Sequence, residues 1–596
     1  MPEYKAPNQE TPTGRLMLVF LVTFVILILF QPLMKKFGPQ TPAQPPQQQQ
    51  AQQQPAAAPP AQPATTQPAK PATPATGTAA AKQAAAETET VIESEFYKIT
   101  FTNRGGQVKS WILKKYSDDK GNPLDIVHQS AAQQYGYPLS LFTYDENLRK
   151  QLNSALYVVN ATPRGVTYEY SEGGIDVRKS FTFDDSYVAK LDILVTKNGQ
   201  AVQAFPAWPG GFGDETVPAS YAVERIDFHP LQPISRTWYG GSKQVERLDF
   251  KSVSGGNTLR QPMYWGGPAD QYFAAIFLPD DPTNTTMVTF RNPLKIPKDL
   301  NKPDPNQMLT VDILGAAVGN VNGHTTMRFF AGPKNLQVLQ ATHATAVPGM
   351  EAPPDLGTLL DLGMFSFIAK PLFLWLRWTY EHWIANWGWA IVILTIIINL
   401  ALLPLRLSGM KSALKTAKIQ PEMKAIREKY KNIPLRDPRR AEANTKMNQE
   451  IAALMKQHGV NPAGGCLPLL IQFPFLIAFY SMLSNTTELR HASWFYLKDL
   501  SAPDPYHILP LGIVLSTYFV QKMTPQGGMD PQQQKMMNIM MPVMLGFISW
   551  NLSAGLCLYW TVGNIVAMLM QMGLNRTELG REQRALAAKR AAKKAR

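Results

Sequence analysis

The sequence predicts a multi-span membrane protein with a large antiparallel β-sandwich domain outside the membrane, on three observations. Several apolar runs in the second half of the 596-residue chain are long enough to cross a bilayer, beginning at residues 387–405. Residues 90–345 alternate strand and turn signals without long helical patterns. Residues 406–458 are dense in Lys and Arg, which is typical of a cytoplasmic segment. The mean hydropathy of −0.17 averages these unlike parts and describes none of them.

An apolar run at residues 16–30 predicts a first membrane-crossing segment, within an N-terminal anchor at residues 1–37. The run is either a signal peptide or a retained anchor. We favour the anchor, because the alanine-rich motifs that resemble cleavage sites lie far beyond the run. The basic residues that flank the run are balanced on its two sides, so they do not orient it. They are Lys5 and Arg15 before it, and Lys35 and Lys36 after it.

Residues 38–89 predict a disordered linker. They are mainly Pro, Gln, Ala and Thr, and they contain too few large apolar side chains to offset the entropy lost on ordering. The β domain at residues 90–345 follows. Its first signal is a hairpin, in which two alternating stretches flank the turn Arg104-Gly105-Gly106.

The β domain carries no recognisable catalytic pattern. Its histidines lie beside no nucleophile or metal-ligand spacing, which favours structural roles for them. They are His128, His229, His324 and His343. Exposed aromatic residues on such a domain can bind sugars or peptides, but strand aromatics more often pack the core, so the ligand of the domain stays open. Both cysteines, Cys466 and Cys557, lie in apolar runs, so we expect neither a disulfide framework nor a Cys-ligated metal site.

Beyond the β domain, residues 355–385 predict an amphipathic helix lying in the membrane interface, because charged residues interrupt a Trp-rich apolar sequence. Residues 386–575 predict a core of five spans. The spans fall at residues 387–405, 466–483, 506–523, 536–551 and 555–574. With the N-terminal anchor, six transmembrane helices are expected.

Between the first two core spans, residues 406–458 predict a helical hairpin in water, with arms at residues 408–431 and 438–458. Apolar residues recur at helical spacing on its second arm. They form either the seam between the arms or, less simply, an exposed substrate-binding stripe. These residues are Met447, Ile451, Leu454 and Met455.

Charge orients the chain in the membrane. The sequence has 58 Lys and Arg against 44 Asp and Glu, and the hairpin and the tail at residues 576–596 concentrate the excess. Positively charged segments stay in the cytoplasm. Both termini are therefore expected inside and the β domain outside. The same charges could bind ribosomal RNA, although a topology signal needs no partner.

Polar side chains interrupt the predicted spans. Thr395 and Asn399 stand at i and i+4 and share one face of a helix. Such residues form either isolated interhelical hydrogen bonds or the wall of a wet cavity. The cavity is favoured here because most of the core spans carry one or more of them. The polar residues are Thr395, Asn399, Gln472, Ser516, Gln521, Asn538, Thr561 and Asn564.

Two motifs identify a resemblance. Residues 461–474 read NPAGGCLPLLIQFP, and residues 555–560 read GLCLYW near the start of the last span. Together with the basic hairpin that precedes them, they resemble the YidC/Oxa/Alb family of membrane protein insertases. The resemblance covers residues 355–575 strongly, and the anchor, linker and β domain match the Gram-negative form in layout.

The resemblance implies an inner-membrane insertase and chaperone that works without covalent chemistry or a cofactor. Its five-helix core would enclose a polar groove, open to the cytoplasm and to lipid, that receives hydrophobic segments of nascent proteins and releases them into the bilayer. It would act alone or with the Sec translocon, and the β domain would be periplasmic. The implied groove residues are the eight polar residues above with Tyr559 and Trp560.

Two positions depart from the family pattern. Asn399 stands where the family commonly has an arginine, and Trp560 stands where it commonly has a tyrosine that touches substrate. Arg406 lies seven residues after Asn399, two helical turns along the same face. We therefore hypothesise that the Arg406 guanidinium reaches back to the groove mouth, unless Pro404 spoils the alignment.

Two other classes of protein compete with an insertase. A transporter would carry inverted repeats or a relay of ionisable residues across the bilayer, and the sequence has neither. A carbohydrate-binding or processing protein of the envelope would use the helical part only as an anchor for the β domain.

Overall fold

The computed structural model describes residues 82–216, 224–234, 244–253, 258–298, 304–349, 352–431, 440–460, 467–523, 531–578, 580–582 and 585. They belong to two compact units, one within residues 39–359 and the other within residues 1–38 and 360–596. The predicted N-terminal anchor, most of the predicted linker, and the tail beyond residue 585 lie outside the described residues.

The first unit, here the β unit, contains nineteen strands in its described part, and every pairing between them is antiparallel. The strands are β1 Glu89–Glu93, β2 Tyr97–Thr102, β3 Gln107–Ser117, β4 Pro123–Asp125, β5 Ser140–Phe142, β6 Val158–Thr162, β7 Gly165–Glu172, β8 Ile175–Phe183, β9 Val188–Lys197, β10 Gln200–Ala201, β11 Phe205–Trp208, β12 Arg225–Pro230, β13 Glu246–Leu248, β14 Thr258–Leu259, β15 Met263–Ala269, β16 Phe273–Pro279, β17 Thr285–Pro297, β18 Met308–Asn320 and β19 His324–Pro333.

These strands form three sheets. A four-stranded sheet has the order β1-β2-β3-β4, and a five-stranded sheet has the order β14-β17-β18-β11-β5. The ten-stranded sheet has the order β13-β12-β15-β16-β19-β9-β8-β7-β6, with β10 paired to β9. The predicted hairpin is the β2–β3 pair, and Gly105 and Gly106 at its turn have φ of +66° and +55°, which glycine adopts without strain. The antiparallel β architecture predicted from the sequence is confirmed.

Three short helices in the β unit were not predicted. They are α1 Gln129–Tyr135, α2 Glu146–Ser154 and α3 Leu336–Ala341. The side chains of Asp145 and Asn335 cap α2 and α3 by accepting hydrogen bonds from backbone N–H groups of the first turn. Helices this short carry too few apolar repeats for the sequence pattern to reveal them.

Large aromatic side chains fill the core of the β unit. Trp111, Trp208 and Trp265 are fully buried. The ring centroid of Phe329 lies 5.8 Å from that of Trp111 and 6.2 Å from that of Trp208. These strand aromatics pack the core rather than lining a sugar-binding face.

The four histidines of the β unit are dispersed. His128 is fully buried, whereas His324 is exposed and its Nε2 lies 2.8 Å from Asp192 Oδ1. The ring of His229 packs against Trp265, and His343 forms a backbone bridge with Asp355. Within the described residues, no three His, Cys, Asp or Glu side chains converge as a metal site requires.

A fully buried lysine joins two turns of the β unit. Lys179 lies at an inward-facing position of β8, and its Nζ donates hydrogen bonds of 2.8, 2.7 and 2.7 Å to the backbone oxygens of Gly105, Gly106 and Leu139. All three acceptors have positive φ. A protonated amine has three N–H donors, so Lys179 satisfies three buried carbonyls as long as it keeps its proton.

Replacing Lys179 by methionine should lower the free energy of unfolding of the β unit by about 3 kcal/mol, because three buried carbonyls lose their donor. Urea unfolding of the detergent-solubilised protein, followed by tryptophan fluorescence, measures this loss. The exposed Lys190 on the neighbouring strand β9 provides the control. Equal stability of the Lys179→Met and Lys190→Met variants would contradict the proposed role of Lys179.

The same lysine should make stability depend on pH. Burial lowers the pKa of Lys179 from 10.5 to about 7. Between these two values the unfolded chain binds a proton that the folded chain has released, so the free energy of unfolding should rise with pH across this window. The same urea titrations at pH 7 and pH 9.5 test this. The increase in the free energy of unfolding between these pH values should be smaller in Lys179→Met than in the unchanged protein. If the increase is identical in the two proteins, groups other than Lys179 cause it.

The second unit, here the helical unit, contains eight helices in its described part. They are α4 Ser366–His382, α5 Trp387–Ala401, α6 Leu403–Lys431, α7 Arg440–Gln457, α8 Leu467–Asn485, α9 Ile508–Met523, α10 Pro531–Ser549 and α11 Ala554–Arg576. Helices α5, α8, α9, α10 and α11 occupy the positions of the five predicted core spans. Helix α11 packs on α5, α8 and α9, and α9 also packs on α10.

Length and composition identify fewer spans than the sequence analysis predicted. Among the described residues, only α11 is both long and apolar enough to cross a bilayer by itself, and α5 with α6 passes the same test as a bent pair. The number of six transmembrane helices is thus not confirmed by this criterion. Helices α9 and the apolar part of α10 are shorter than the criterion requires.

The first predicted core span is broken rather than continuous. Helix α5 ends at Ala401, and α6 begins at Leu403 with its axis bent by 48°. Pro404 explains the break, because proline ends a preceding helix and is tolerated in the first turn of the next one. The first arm of the hairpin therefore begins within the predicted span.

The hairpin of α6 and α7 is packed at its seam. Ile419, Met423 and Val460 are buried, and Ile451, Leu454 and Met455 pack against them. These three residues of the predicted stripe thus supply the seam between the arms, which was the simpler of the two interpretations.

Candidate functional site

Two buried polar residues on α5 begin the site. The Thr395 hydroxyl donates a hydrogen bond of 2.6 Å to the Ile391 oxygen, and Asn399 Nδ2 donates one of 2.8 Å to the Thr395 oxygen. Both side chains therefore use the carbonyl four residues back along their own helix. These bonds use the Thr395 hydroxyl and one N–H of the Asn399 amide, and they leave Asn399 Oδ1 for another partner.

Arg406 is that partner. Its Nη2 donates a hydrogen bond of 3.0 Å to Asn399 Oδ1 across the bend between α5 and α6. The guanidinium is partly buried, although its helix leads into the basic hairpin. A guanidinium has several N–H donors, and the Asn399 oxygen accepts from one of them in the described contacts. Donors thus remain for a further acceptor.

Arg406 lies in a small polar cleft that four helices form. Four of the lining residues are sequence-predicted site residues, namely Asn399, Arg406, Gln472 and Tyr559. The others are Ile398, Leu402, Leu405 and Phe475. The cavity of about 20 Å³ has room for about one water molecule. The arrangement places a fixed positive charge and three other polar side chains among apolar residues.

Helix α11 closes the cleft with an aromatic and a small residue. The Tyr559 ring stacks on Phe479 with centroids 4.0 Å apart and planes at 12°. A Cβ added to Gly563 would lie 3.7 Å from both Asn399 Nδ2 and Thr395 Cγ2, which is an ordinary contact distance, so this position of α11 packs against the polar face of α5. Gly563 was not among the predicted site residues, although small residues commonly mark helix interfaces in membranes.

Three other predicted site residues join α9 to α11 instead of lining the cleft. Asn564 Nδ2 donates to the Ser516 hydroxyl at 3.0 Å and to the Thr517 hydroxyl at 2.9 Å. The Thr561 hydroxyl donates to the Leu509 oxygen at 3.4 Å. Thr517 was also missed from the sequence. Thr517 lies one helical turn after Ile513, which is buried, and this spacing could have indicated that Thr517 faces the interior.

The remaining predicted residues lie outside the cleft lining. Trp560 on α11, Gln521 on α9 and Asn538 on α10 are partly buried. The side-chain oxygens of Gln521 and Asn538 are buried without a hydrogen-bond partner in the described part of the chain.

The α9–α11 contact yields a stability prediction. Asn564→Leu keeps the number and branching of the side-chain heavy atoms but removes two interhelical hydrogen bonds, and should lower the free energy of unfolding by about 1 kcal/mol. Unfolding of the purified protein in mixed micelles by added SDS measures this loss. Ile565→Leu changes an exposed neighbour and should leave stability unchanged. An equal effect of the two substitutions would refute a specific role for the amide.

A bundle of apolar helices holds a partly buried arginine and is attached to a large β unit. This combination defines a class of integral membrane protein with a polar site among its helices. Two family models cover most of the chain. The model described as "60Kd inner membrane protein" matches residues 378–581, and the "YidC periplasmic domain" model matches residues 89–375.

Relatives from three bacteria carry the name "Membrane protein insertase YidC". The relative from Syntrophus aciditrophicus is 30% identical over 531 residues, which cover 82% of this chain and 85% of the relative. The relative from Geobacter metallireducens is 31% identical over 517 residues, and the match covers 84% of this chain and 87% of the relative. The relative from Cupriavidus necator is 31% identical over 535 residues, and the match covers 86% of this chain and 88% of the relative. The chain belongs to the YidC family of membrane protein insertases.

Proposed function

We propose that this protein is an inner-membrane insertase and chaperone. It receives hydrophobic segments of nascent membrane proteins at the mouth of the polar cleft and releases them into the bilayer, without covalent chemistry. Family membership supports the class of activity. The observation that carries the assignment of the site is the hydrogen bond from Arg406 to Asn399 within a cleft of otherwise apolar helices.

Exposed apolar stripes on three of the core helices, α9, α10 and α11, support the proposed membrane embedding of the core. On α9 the exposed residues recur every three or four positions and so form one face, which is the pattern of a lipid-facing surface. They are Ile508, Leu511, Leu515 and Phe519. Helix α10 exposes Ile539, Met540, Val543 and Phe547 in the same way, and α11 exposes Ile565, Leu569 and Met572. With the N-terminal anchor, six spans are proposed.

Helix α4 is proposed to lie in the membrane interface. It buries Ala369, Leu372 and Phe373 against its neighbours and exposes aromatic and apolar residues on the other side. Arg377 and Glu381 form an ion pair of 2.7 Å on its surface. Charged pairs beside Trp side chains suit the headgroup region, which is both polar and apolar.

The bilayer supplies the driving force of insertion. Each methylene group that leaves water gains about 0.8 kcal/mol, so an apolar segment is stable once it lies in lipid. The barrier comes from the polar flank that must pass through hydrocarbon. A cleft that offers Gln472, the Tyr559 hydroxyl and the Arg406 guanidinium lowers that barrier by replacing water as the hydrogen-bond partner.

Arg406 gives the cleft a preference for acidic flanks. Its donors pair best with carboxylates, in charge-assisted hydrogen bonds. Asn399 acts through Arg406, because its oxygen fixes the guanidinium at the mouth of the cleft. The arginine and asparagine of this chain thereby provide the positive charge that the family commonly places at the position of Asn399.

Removing this charge should affect substrates selectively. Arg406→Gln loses one charge-assisted hydrogen bond, worth about 1.5 kcal/mol, and should slow insertion of a substrate with an acidic flank about tenfold. A substrate whose acidic residues are changed to amides should respond much less. Insertion is measured in proteoliposomes by protease protection. Lys411→Gln alters an exposed cation further along α6 and serves as the control, and equal slowing of both substrates would contradict a specific charge effect.

The orientation and partners remain proposals that rest on charge. The basic hairpin and tail are cytoplasmic, both termini are inside, and the β unit is periplasmic. In the described part of the tail, Glu582 pairs with Lys418 of α6 at 2.5 Å, which links the tail to the hairpin. The proposed partners are the nascent chain, the lipid, the Sec translocon within the membrane, and the ribosome, which would bind the basic hairpin and tail.

Reconstitution tests the proposed activity. Purified protein in liposomes should accelerate insertion of a small single-span substrate relative to protein-free liposomes. A variant lacking most of residues 90–340 should retain this activity, because the cleft lies entirely in the helical unit. No acceleration by the intact protein would refute the insertase proposal. If the intact protein accelerates insertion but the deletion variant does not, the β unit is essential for the activity.

A further inference from the structure

A tight turn between α8 and α9 presents an aromatic ring at its tip. Trp494 and Leu497 exchange both backbone hydrogen bonds at 2.9 Å, so Phe495 and Tyr496 form a two-residue turn. Phe495 has a φ of +49° and its side chain is 75% exposed. Turns of this kind usually place glycine at a positive φ, and a bulky residue there is strained. A strained, exposed phenylalanine is a reason to look for a partner.

This segment, residues 493–497, is here named the aromatic turn, and it is fixed to the start of α5. Asn386 Nδ2 donates to the Ser493 oxygen at 3.1 Å. The Phe495 ring centroid lies 5.7 Å from that of Trp389 and 4.6 Å from that of Trp494. A Cβ added to Gly388 would lie 2.3 Å from Trp494 Cγ. The aromatic turn and the first turn of α5 therefore form one packed element.

The aromatic turn continues the exposed apolar face of α5. Trp389 is 40% exposed, and Ile396 and Leu400 are exposed on the same side, at seven and eleven positions further along. This spacing is the lipid-facing stripe of the helix under the proposed membrane embedding. Phe495, which contacts Trp389, lies at the end of that stripe.

We propose that the aromatic turn is an interfacial anchor whose Phe495 and Trp389 rings lie at the headgroup level of the outer leaflet. Aromatic rings concentrate at this depth because it is apolar on one side and wet on the other. Asn399 lies about 15 Å further along α5 at about 1.5 Å per residue. In a hydrocarbon core about 30 Å thick, the anchor holds Asn399 and the cleft near the middle of the bilayer.

Spin-label depth measurements test this anchor, which rests on the proposed membrane embedding. Cys466 and Cys557 are first replaced by alanine. A nitroxide is then attached at Phe495→Cys or, as the matched control, at Lys498→Cys, which replaces an exposed lysine three residues on. The full-length protein is studied in liposomes of phosphatidylethanolamine and phosphatidylglycerol. Collisions with oxygen report lipid, and collisions with a water-soluble nickel chelate report water.

The label at 495 should collide more with oxygen than with nickel, and the label at 498 should show the reverse. A water-exposed label at 495 would overturn the proposal. A label at 495 that is shielded from both reagents would also overturn it, because the partner would then be protein rather than lipid.

A second variant tests whether the anchor sets the depth of α5. Phe495→Gly removes the ring and relieves the positive φ, so the protein should unfold at the same temperature or higher. A label at Ile396→Cys should change its depth in this variant and keep it in Lys498→Gly. An unchanged depth with Phe495→Gly would overturn the role in positioning.

Insertion measured in the same liposomes keeps the two proposals separate. If the protein inserts substrate normally but the label at 495 is exposed to water, the anchor proposal is wrong and the insertase proposal stands. If the unlabelled protein fails to insert substrate but the label at 495 lies at lipid depth, the insertase proposal is wrong and the anchor proposal stands.

Discussion

The hydrogen bond between Arg406 and Asn399 is the contact on which the site depends. An unpaired amide or guanidinium among apolar helices is costly. This contact gives the Asn399 Oδ1 a donor and one N–H of Arg406 an acceptor, across the bend at Leu402. Pro404 produces the bend, and α11 packs against the polar face of α5 at Gly563. Backbone geometry and helix packing thus hold a partly buried cation among apolar residues.

The two units solve the problem of buried polar groups in different ways. In the β unit, Lys179 is enclosed by three backbone carbonyls that use all its donors, and it therefore stabilises two turns. In the helical unit, the Arg406 guanidinium donates to Asn399 Oδ1 and has further N–H donors without an acceptor among the described residues. The saturated lysine is structural, and we propose that the unsaturated arginine makes transient contact with a substrate.

Much of the architecture could be predicted from sequence, since periodicity reports strands and helices directly. The β2–β3 hairpin follows from two alternating stretches around Gly105 and Gly106, and the inward position of Lys179 follows from the two-residue period of β8. The site could be predicted only in part. Asn399, Gln472 and Tyr559 converge, whereas Asn564 turns to α9, because a single helix sequence does not say which neighbour each face meets. Gly563 and Thr517 were missed for the same reason.

Site-specific photocrosslinking to an inserting substrate tests the central claim most directly. A photoreactive amino acid placed at Gln472, in the cleft, should crosslink to the apolar segment of a stalled nascent chain, and more weakly once that segment is released into lipid. The same probe at Phe547, which is 80% exposed on α10, should crosslink mainly to lipid throughout. Equal substrate crosslinking at both positions, or none at Gln472, would contradict the assignment of the cleft as the substrate site.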